Sequence, residues 1–336
     1  MPVALESRRT ASPSARTNMG QRHSDPAVRI GLINNMPDAA LQSTEAQFCA
    51  LLEGASAGLA VTVRPSSFPE LPRSPEATEQ VAERYWPIDE LLAQSLDALI
   101  ITGTEPRAPR LRDEPYWGRF VELLNFAQRQ TVASIWSCLA AHAAVEALDG
   151  IQRQRLTDKR SGIYEHRTLS GHPLLEGAAS PLHMPHSRWN ELPVPALRSA
   201  GYTLLSWSDV GGADAFVRDR GSLLLFFQGH PEYEGTTLLK EYRRDVGRYL
   251  AGTQENYPTL PVGYLNPVAT RQMEVFRAQA LAERRAELTE RFPFAAVAAG
   301  LTNTWQPSAV AIYRNWLAHI VRARAAAPRA EPVSLA

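Results

Sequence analysis

Two short stretches hold residues that could do covalent chemistry together. In the first, residues 131–150, Cys138 falls where an apolar run of strand formers, Val132 to Trp136, gives way to an Ala- and Leu-rich segment with good helix propensity. Backbone N–H groups at a helix start have no intrahelical partner, and the aligned peptide dipoles favour negative charge there. A thiol at such a junction is a candidate nucleophile, and the amide of Leu139 is a candidate donor to an oxyanion on a neighbouring acyl carbon. Taken alone, Cys138 reads more readily as a small buried apolar residue. The second stretch, residues 222–234, changes the balance, because a buried-strand run from Leu223 to Phe227 ends in Gly229-His230-Pro231-Glu232. His230 can serve as general base and acid for a thiol, and Glu232 is near enough to orient the imidazole and stabilise its cation. Pro231 between them disfavours a helix and stiffens the loop.

For that sulfur and imidazole to meet, both strands must end at one crevice, as strands do in parallel α/β sheets. The chain supplies the needed alternation. A strand begins at Val28, a helix opens near Ser43, Leu59 to Val63 is a second strand and Asp97 to Gly103 a third. A helix from Tyr116 to Gln128 then returns the chain to the strand before Cys138. This order implies an α/β fold of three layers, α/β/α, with a mostly parallel central sheet. Residues 65–87, with five prolines, read as a long loop. Residues 152–197 are polar, His-rich and aperiodic, and are expected to pack over the crevice. Short strands follow at Tyr202 to Trp207, Ala213 to Val217 and Leu223 to Phe227, then helices over Thr236 to Leu250, Gln272 to Arg291 and Pro307 to Ala325. Residues 1–27 are expected to be a disordered tail, 28–267 the α/β domain, and 268–336 a helical extension packed on it.

Composition narrows the function. Lys plus Arg and Asp plus Glu both number 35 in 336 residues, and zero net charge argues against nucleic acid as the main ligand. No apolar run approaches the length of a membrane span and no secretory leader is evident, so a cytoplasmic location without membrane attachment is expected. Cys49 and Cys138 are the two cysteines, Cys49 reads as core, and no disulfide is expected. His183 and His186 have HxxH spacing but no accompanying ligand cluster, so no metal site is expected.

A set of motifs carries a family resemblance. Asn35-Met36-Pro37, Thr44-Glu45, Gln47-Phe48, Thr102-Gly103, Tyr116-Trp117, Cys138, Ser161-Gly162 with Tyr164-Glu165-His166, Pro185-His186-Ser187-Arg188, Gly229-His230-Pro231-Glu232-Tyr233 and Arg244-Asp245-Val246 together resemble the homoserine O-succinyltransferase family. The resemblance runs from about Val28 to Pro267 and implies the fold of class I glutamine amidotransferases. It also implies a ping-pong acyl transfer in methionine biosynthesis: Cys138 takes the acyl group from acyl-CoA as a thioester, His230 moves the proton, Glu232 holds His230, and the L-homoserine hydroxyl attacks. Lys159, Ser187 and Arg244 fall where the family contacts substrate, and the Arg244 guanidinium suits an amino-acid carboxylate. No cofactor is implied beyond succinyl-CoA or acetyl-CoA as co-substrate, and a homodimer is expected.

The chain departs from the family pattern after the third strand. The loop reads Thr102-Gly103-Thr104-Glu105-Pro106-Arg107, where the family has Thr-Gly-Ala-Pro. Counting without a gap puts Arg107 at the position that sorts acyl donors, where a cation would favour succinyl over acetyl. Glu105 beside it leaves acetyl-CoA open, and the altered loop leaves serine open as acceptor. A glutaminase-type amidotransferase would share the fold and the Cys-His-Glu set, but such enzymes usually place glycines on both sides of the cysteine, where this chain has Ser137 and Leu139. A non-catalytic binding protein would have no need of all three intact residues.

Overall fold

The apolar runs that precede Cys138 and His230 become adjacent strands of one sheet. The computed structural model describes residues 3–10, 27–169 and 171–326. Its strands are β1 (Val3–Leu5), β2 (Val28–Ile33), β3 (Val61–Ser66), β4 (Ala98–Ile101), β5 (Ala133–Ser137), β6 (Gln154–Thr168), β7 (Leu182–Glu191), β8 (Thr203–Leu204), β9 (Ser206–Ser208), β10 (Gly212–Ala213), β11 (Ala215–Asp219) and β12 (Leu223–Phe227). The main sheet runs β1-β3-β2-β4-β5-β12-β11-β8, and the second β10-β9-β6-β7. From β1 to β12 every neighbouring pair is parallel, while β11 and β8 add an antiparallel edge.

Helices cover both faces of this sheet. The longer ones are α1 (Leu41–Ala55), α2 (Pro75–Arg84), α3 (Trp117–Gln130), α4 (Leu139–Asp149), α5 (Thr237–Leu250), α6 (Pro267–Ala282) and α7 (Gln306–Ala326). On one face Phe48 and Leu52 of α1 and Ile312 and Trp316 of α7 pack on Ile30, Leu32 and Val63. On the other, Phe120 and Leu123 of α3 and Ala141 and Val145 of α4 pack on Leu99, Ile101 and Trp136. Strands buried on both faces carry continuous apolar sequence, which is why β4 and β12 read ALII and LLLFF. Each such buried aliphatic or aromatic side chain contributes about 1.5–3 kcal/mol of hydrophobic stabilisation. A separate apolar cluster joins α5 and α6 through Tyr242, Val246, Met273 and Phe276.

Four expectations are changed by the structure. Part of the stretch expected to be a tail is ordered: β1 pairs with β3, and Arg64 Nε donates to Glu6 at 2.8 Å. Three residues are too short a run to show a period, and only the open edge of β3 makes them a strand. The remainder of that tail, residues 1, 2 and 11–26, lies outside the described residues. Inside the Pro-rich stretch 65–87 sits α2, because Pro75 occupies the first helical turn, where its missing N–H costs nothing, and Ser74 caps the Ala77 amide at 3.2 Å. The aperiodic segment 152–197 contains the long antiparallel hairpin of β6 and β7. Its pattern was obscured because only one part of β6 is buried. The helix expected over Gln272 to Arg291 is instead α6, starting at Pro267, followed by a short 3-10 turn.

Candidate active site

Register brings the two chemical stretches together. β5 and β12 are parallel, with Ser137 opposite Phe227, so Cys138 and the Gln228-Gly229-His230 segment leave the sheet side by side. The Cys138 amide donates to the Phe227 carbonyl at 2.8 Å and locks the junction. Cys138 has φ 53° and ψ −111°, a conformation L residues rarely adopt, and α4 starts immediately after it. Such backbone strain costs about 1–3 kcal/mol and is characteristic of a nucleophile held on a sharp strand-to-helix turn. The turn is made without flanking glycines. The room comes from Gly103 across the cleft, where a Cβ would lie 2.7 Å from Leu139 Cβ and 3.0 Å from its nitrogen. The Leu139 amide, at the first position of α4 where no intrahelical acceptor is in reach, lies beside the Gly103 backbone.

His230 is fixed from several sides. Its backbone N–H donates to the Pro185 carbonyl at 2.8 Å, and the preceding Gly229 amide donates to the buried Asp214 carboxylate at 3.1 Å. Gly229 packs so closely on Met184 and Asp214 that a side chain there would displace them. The imidazole Nδ1 is 2.9 Å from Glu232 Oε1, Cys138 lies close enough to act on the ring's charge, and Tyr233 stacks on it at 4.2 Å between centroids. Burial opposes protonation of His230, but the charges of Cys138 and Glu232 outweigh it and hold its pKa well above the ordinary imidazole range. The arrangement is a cysteine facing an imidazole held toward its charged form and backed by a carboxylate. Cys49 is the contrast: burial first, and the charge of Glu45 second, push its thiol up to about 11.

These groups open into a cavity of about 460 Å³. Lys159, Ser187 and Arg244 line it, as do Glu105, Glu241, Asp245 and Arg248. Lys159 Nζ donates to Asp245 Oδ2 at 2.6 Å, and Arg244 donates to Asp245 Oδ1 through Nε at 3.1 Å and Nη2 at 3.0 Å. Although burial opposes ionisation, these two cations hold the Asp245 carboxyl below its usual range. Glu241 accepts from the Tyr233 hydroxyl at 2.7 Å through Oε1, while its buried Oε2 has no partner among the described residues. Trp189 stands at the wall with the Arg155 guanidinium 4.4 Å over its ring.

Of the residues singled out in the sequence, Cys138, Leu139, Lys159, Ser187, His230, Glu232 and Arg244 all line this one cavity. Arg107 does not. It is exposed, and its amide donates to Glu114 at 2.6 Å, which ties the loop down away from the cavity. Along this loop the cavity lining runs from Thr102 to Glu105. Sequence reasoning gave no role to Glu241, Asp245 and Arg248. Their signal was present as spacing, since Glu241, Arg244, Asp245 and Arg248 fall at i, i+3, i+4 and i+7 on α5 and share one face. His183 and His186 go different ways, His183 to Thr304 at 2.9 Å and His186 into the fully buried interior.

Fold and site together define an α/β protein with a cysteine–histidine–glutamate set at the carboxyl ends of adjacent parallel strands, the arrangement of thiol-dependent acyl-transfer proteins. Comparison with known proteins makes the assignment narrower. The family model described as homoserine O-succinyltransferase matches residues 10–327. A homoserine O-succinyltransferase of Methylorubrum extorquens is 44% identical over 87% of this chain and 86% of its own length, and one of Rhodopseudomonas palustris is 43% identical over 86% and 87%. The chain belongs to the homoserine O-succinyltransferase family. Among solved structures, a glutamine amidotransferase from Methylobacillus flagellatus is matched over 88% of this chain and 96% of its own, at 16% identity and a TM-score of 0.49.

Proposed function

We propose that this protein transfers a succinyl group from succinyl-CoA to the hydroxyl of L-homoserine through a thioester on Cys138, in methionine biosynthesis. The observation that carries the reading is the strand register that sets the Cys138 sulfur against a His230 already charged and backed by Glu232. In the first half-reaction the thiolate attacks the acyl carbonyl, the amides near Leu139 and Gly103 receive the oxyanion, and His230 gives its proton to the departing CoA sulfur. In the second, neutral His230 takes the proton of the homoserine hydroxyl as its oxygen attacks the thioester, and the thiolate leaves.

The cavity wall suits an α-amino acid acceptor. Arg244 presents a guanidinium for the carboxylate, and the free Glu241 oxygen three residues away suits the ammonium group. Lys159 and Ser187 complete the polar wall. The chemistry resides in residues 28–267, with the described helices between residues 268 and 326 as buttress and residues 327–336 outside the described residues: Trp305 Nε1 donates to the Tyr233 carbonyl at 2.9 Å, steadying the ring stacked on His230. A cytoplasmic homodimer acting on small molecules alone completes the reading; among the described residues no helix is long and apolar enough to cross a membrane.

Intact-mass analysis after incubation with succinyl-CoA alone is expected to show one succinyl adduct on Cys138, discharged by homoserine. The Cys138→Ala variant is expected to lose both adduct and transfer. Full transfer by that variant, or ammonia release from glutamine without acyl-CoA consumption, would sink the proposal.

A further inference from the structure

Arg248 stands one helical turn beyond Arg244 on the same face of α5, about 6 Å along the helix axis. Its guanidinium lines the cavity, 3.8 Å from Glu105 Oε1 and 3.8 Å from Asp245 Oδ1. Neither contact is within hydrogen-bond distance. Asp245 is already engaged at both oxygens by Lys159 and Arg244. Glu105, the other neighbour, is an exposed rim residue two positions after Gly103, the residue whose backbone abuts Leu139 beside the nucleophile. Arg248 therefore stands beside the loop that carries Gly103, one turn of α5 away from Arg244.

We infer that Arg248 selects the acyl donor by pairing with the distal carboxylate of a dicarboxylic acyl chain, while Arg107 stands exposed outside the cavity lining. The inference rests on the activity proposed above and names the residue that gives it succinyl specificity. In the empty cavity Glu105 and Asp245 attract Arg248 weakly; an incoming carboxylate can take the guanidinium in a bidentate, charge-assisted pair. An acetyl group has no atom to reach it. Glu105 works against this selection, because its own charge competes for Arg248 and repels the succinyl carboxylate.

The test measures initial rates of the full-length protein with succinyl-CoA and acetyl-CoA at saturating homoserine. For Arg248→Met, the ratio of kcat/KM for succinyl-CoA to that for acetyl-CoA is expected to fall about 10- to 100-fold, the range of a charge-assisted hydrogen bond at a partly solvated site. Arg248→Lys is expected to keep part of the preference, and Arg107→Glu to leave the ratio within about twofold, as for a side chain outside the cavity. Glu105→Gln, which leaves Arg248 in place and supplies a second test should Arg248→Met fold poorly, is expected to raise the ratio. Equal losses with both donors would place Arg248 on the CoA moiety they share and overturn the inference, as would an unchanged ratio. A wild-type protein that transfers from neither donor would instead overturn the activity itself.

Discussion

Replacing Glu232 by Gln keeps the shape of the site and removes one charge, so it isolates what the carboxylate does for His230. The two groups are buried, with Glu232 Oε1 2.9 Å from Nδ1. Opposite charges with centres about 4 Å apart interact by about 4 kcal/mol at an effective dielectric of about 20. At about 1.4 kcal/mol per pKa unit that is about three units, and relaxation of the site brings the expected displacement to about 1–3 units. The direction follows from the cause. Burial lowers the His230 pKa, the Cys138 and Glu232 charges raise it, and removing one of the two lets it fall. Acylation needs the imidazolium to protonate departing CoA, so its rate is lost as pH rises through the His230 pKa. The basic limb of the acylation profile is therefore expected to move to lower pH by that amount. At neutral pH the rate should fall by about 10²–10⁴, the usual worth of a positioned acid–base group. Single-turnover release of CoA thiol, followed across pH in both proteins, reads the limb directly. A limb that stays in place, with a rate within threefold of wild type, would refute the assignment of Glu232.

Two further perturbations probe the scaffold. Gly103→Ala would put a Cβ 2.7 Å from Leu139 Cβ and 3.0 Å from its nitrogen, against the first turn of α4, which cannot yield as a flexible side chain can. It should lower kcat by about 10²–10³ by displacing the oxyanion donors, with a smaller change in KM, and activity within twofold of wild type would discard that site. His142, fully buried and 2.9 Å from Gln228, has a pKa lowered from 6.5 to about 3, by burial first and by the charge of Arg188 second. The unfolded chain binds this proton below pH 6.5 and the folded one does not, so stability is lost as pH falls from 6.5 towards 3, with a slope approaching about 1.4 kcal/mol per pH unit. Urea unfolding of His142→Gln between pH 4.5 and 7 should show that slope reduced by one proton; an unchanged slope would mean His142 does not carry it.

Much of the molecule was legible one residue at a time. Strands buried on both faces must be continuous apolar runs, so β4, β5 and β12 announce themselves, and the βαβ alternation leaves a parallel sheet as the natural outcome. Cys138 at a strand-to-helix junction and His230 with Glu232 beyond a second strand were visible because local residue types mark them, and the family motifs located Lys159, Ser187 and Arg244. What eluded local reading was any feature set by contacts distant in sequence. β1 exists only because β3 has an open edge, and the hairpin of β6 and β7 buries too little of one face to show a period. Arg107 matched a position by counting, yet its backbone is tied to Glu114 and it stands exposed outside the cavity lining, while Arg248, with no local mark, reaches the cavity from another element. The sequence alone determined which chemistry the chain could carry and on which strands. The pairing of β5 with β12, and the face that α5 turns to the cleft, belong to the tertiary structure, because register and helix rotation are decided by packing over the whole molecule.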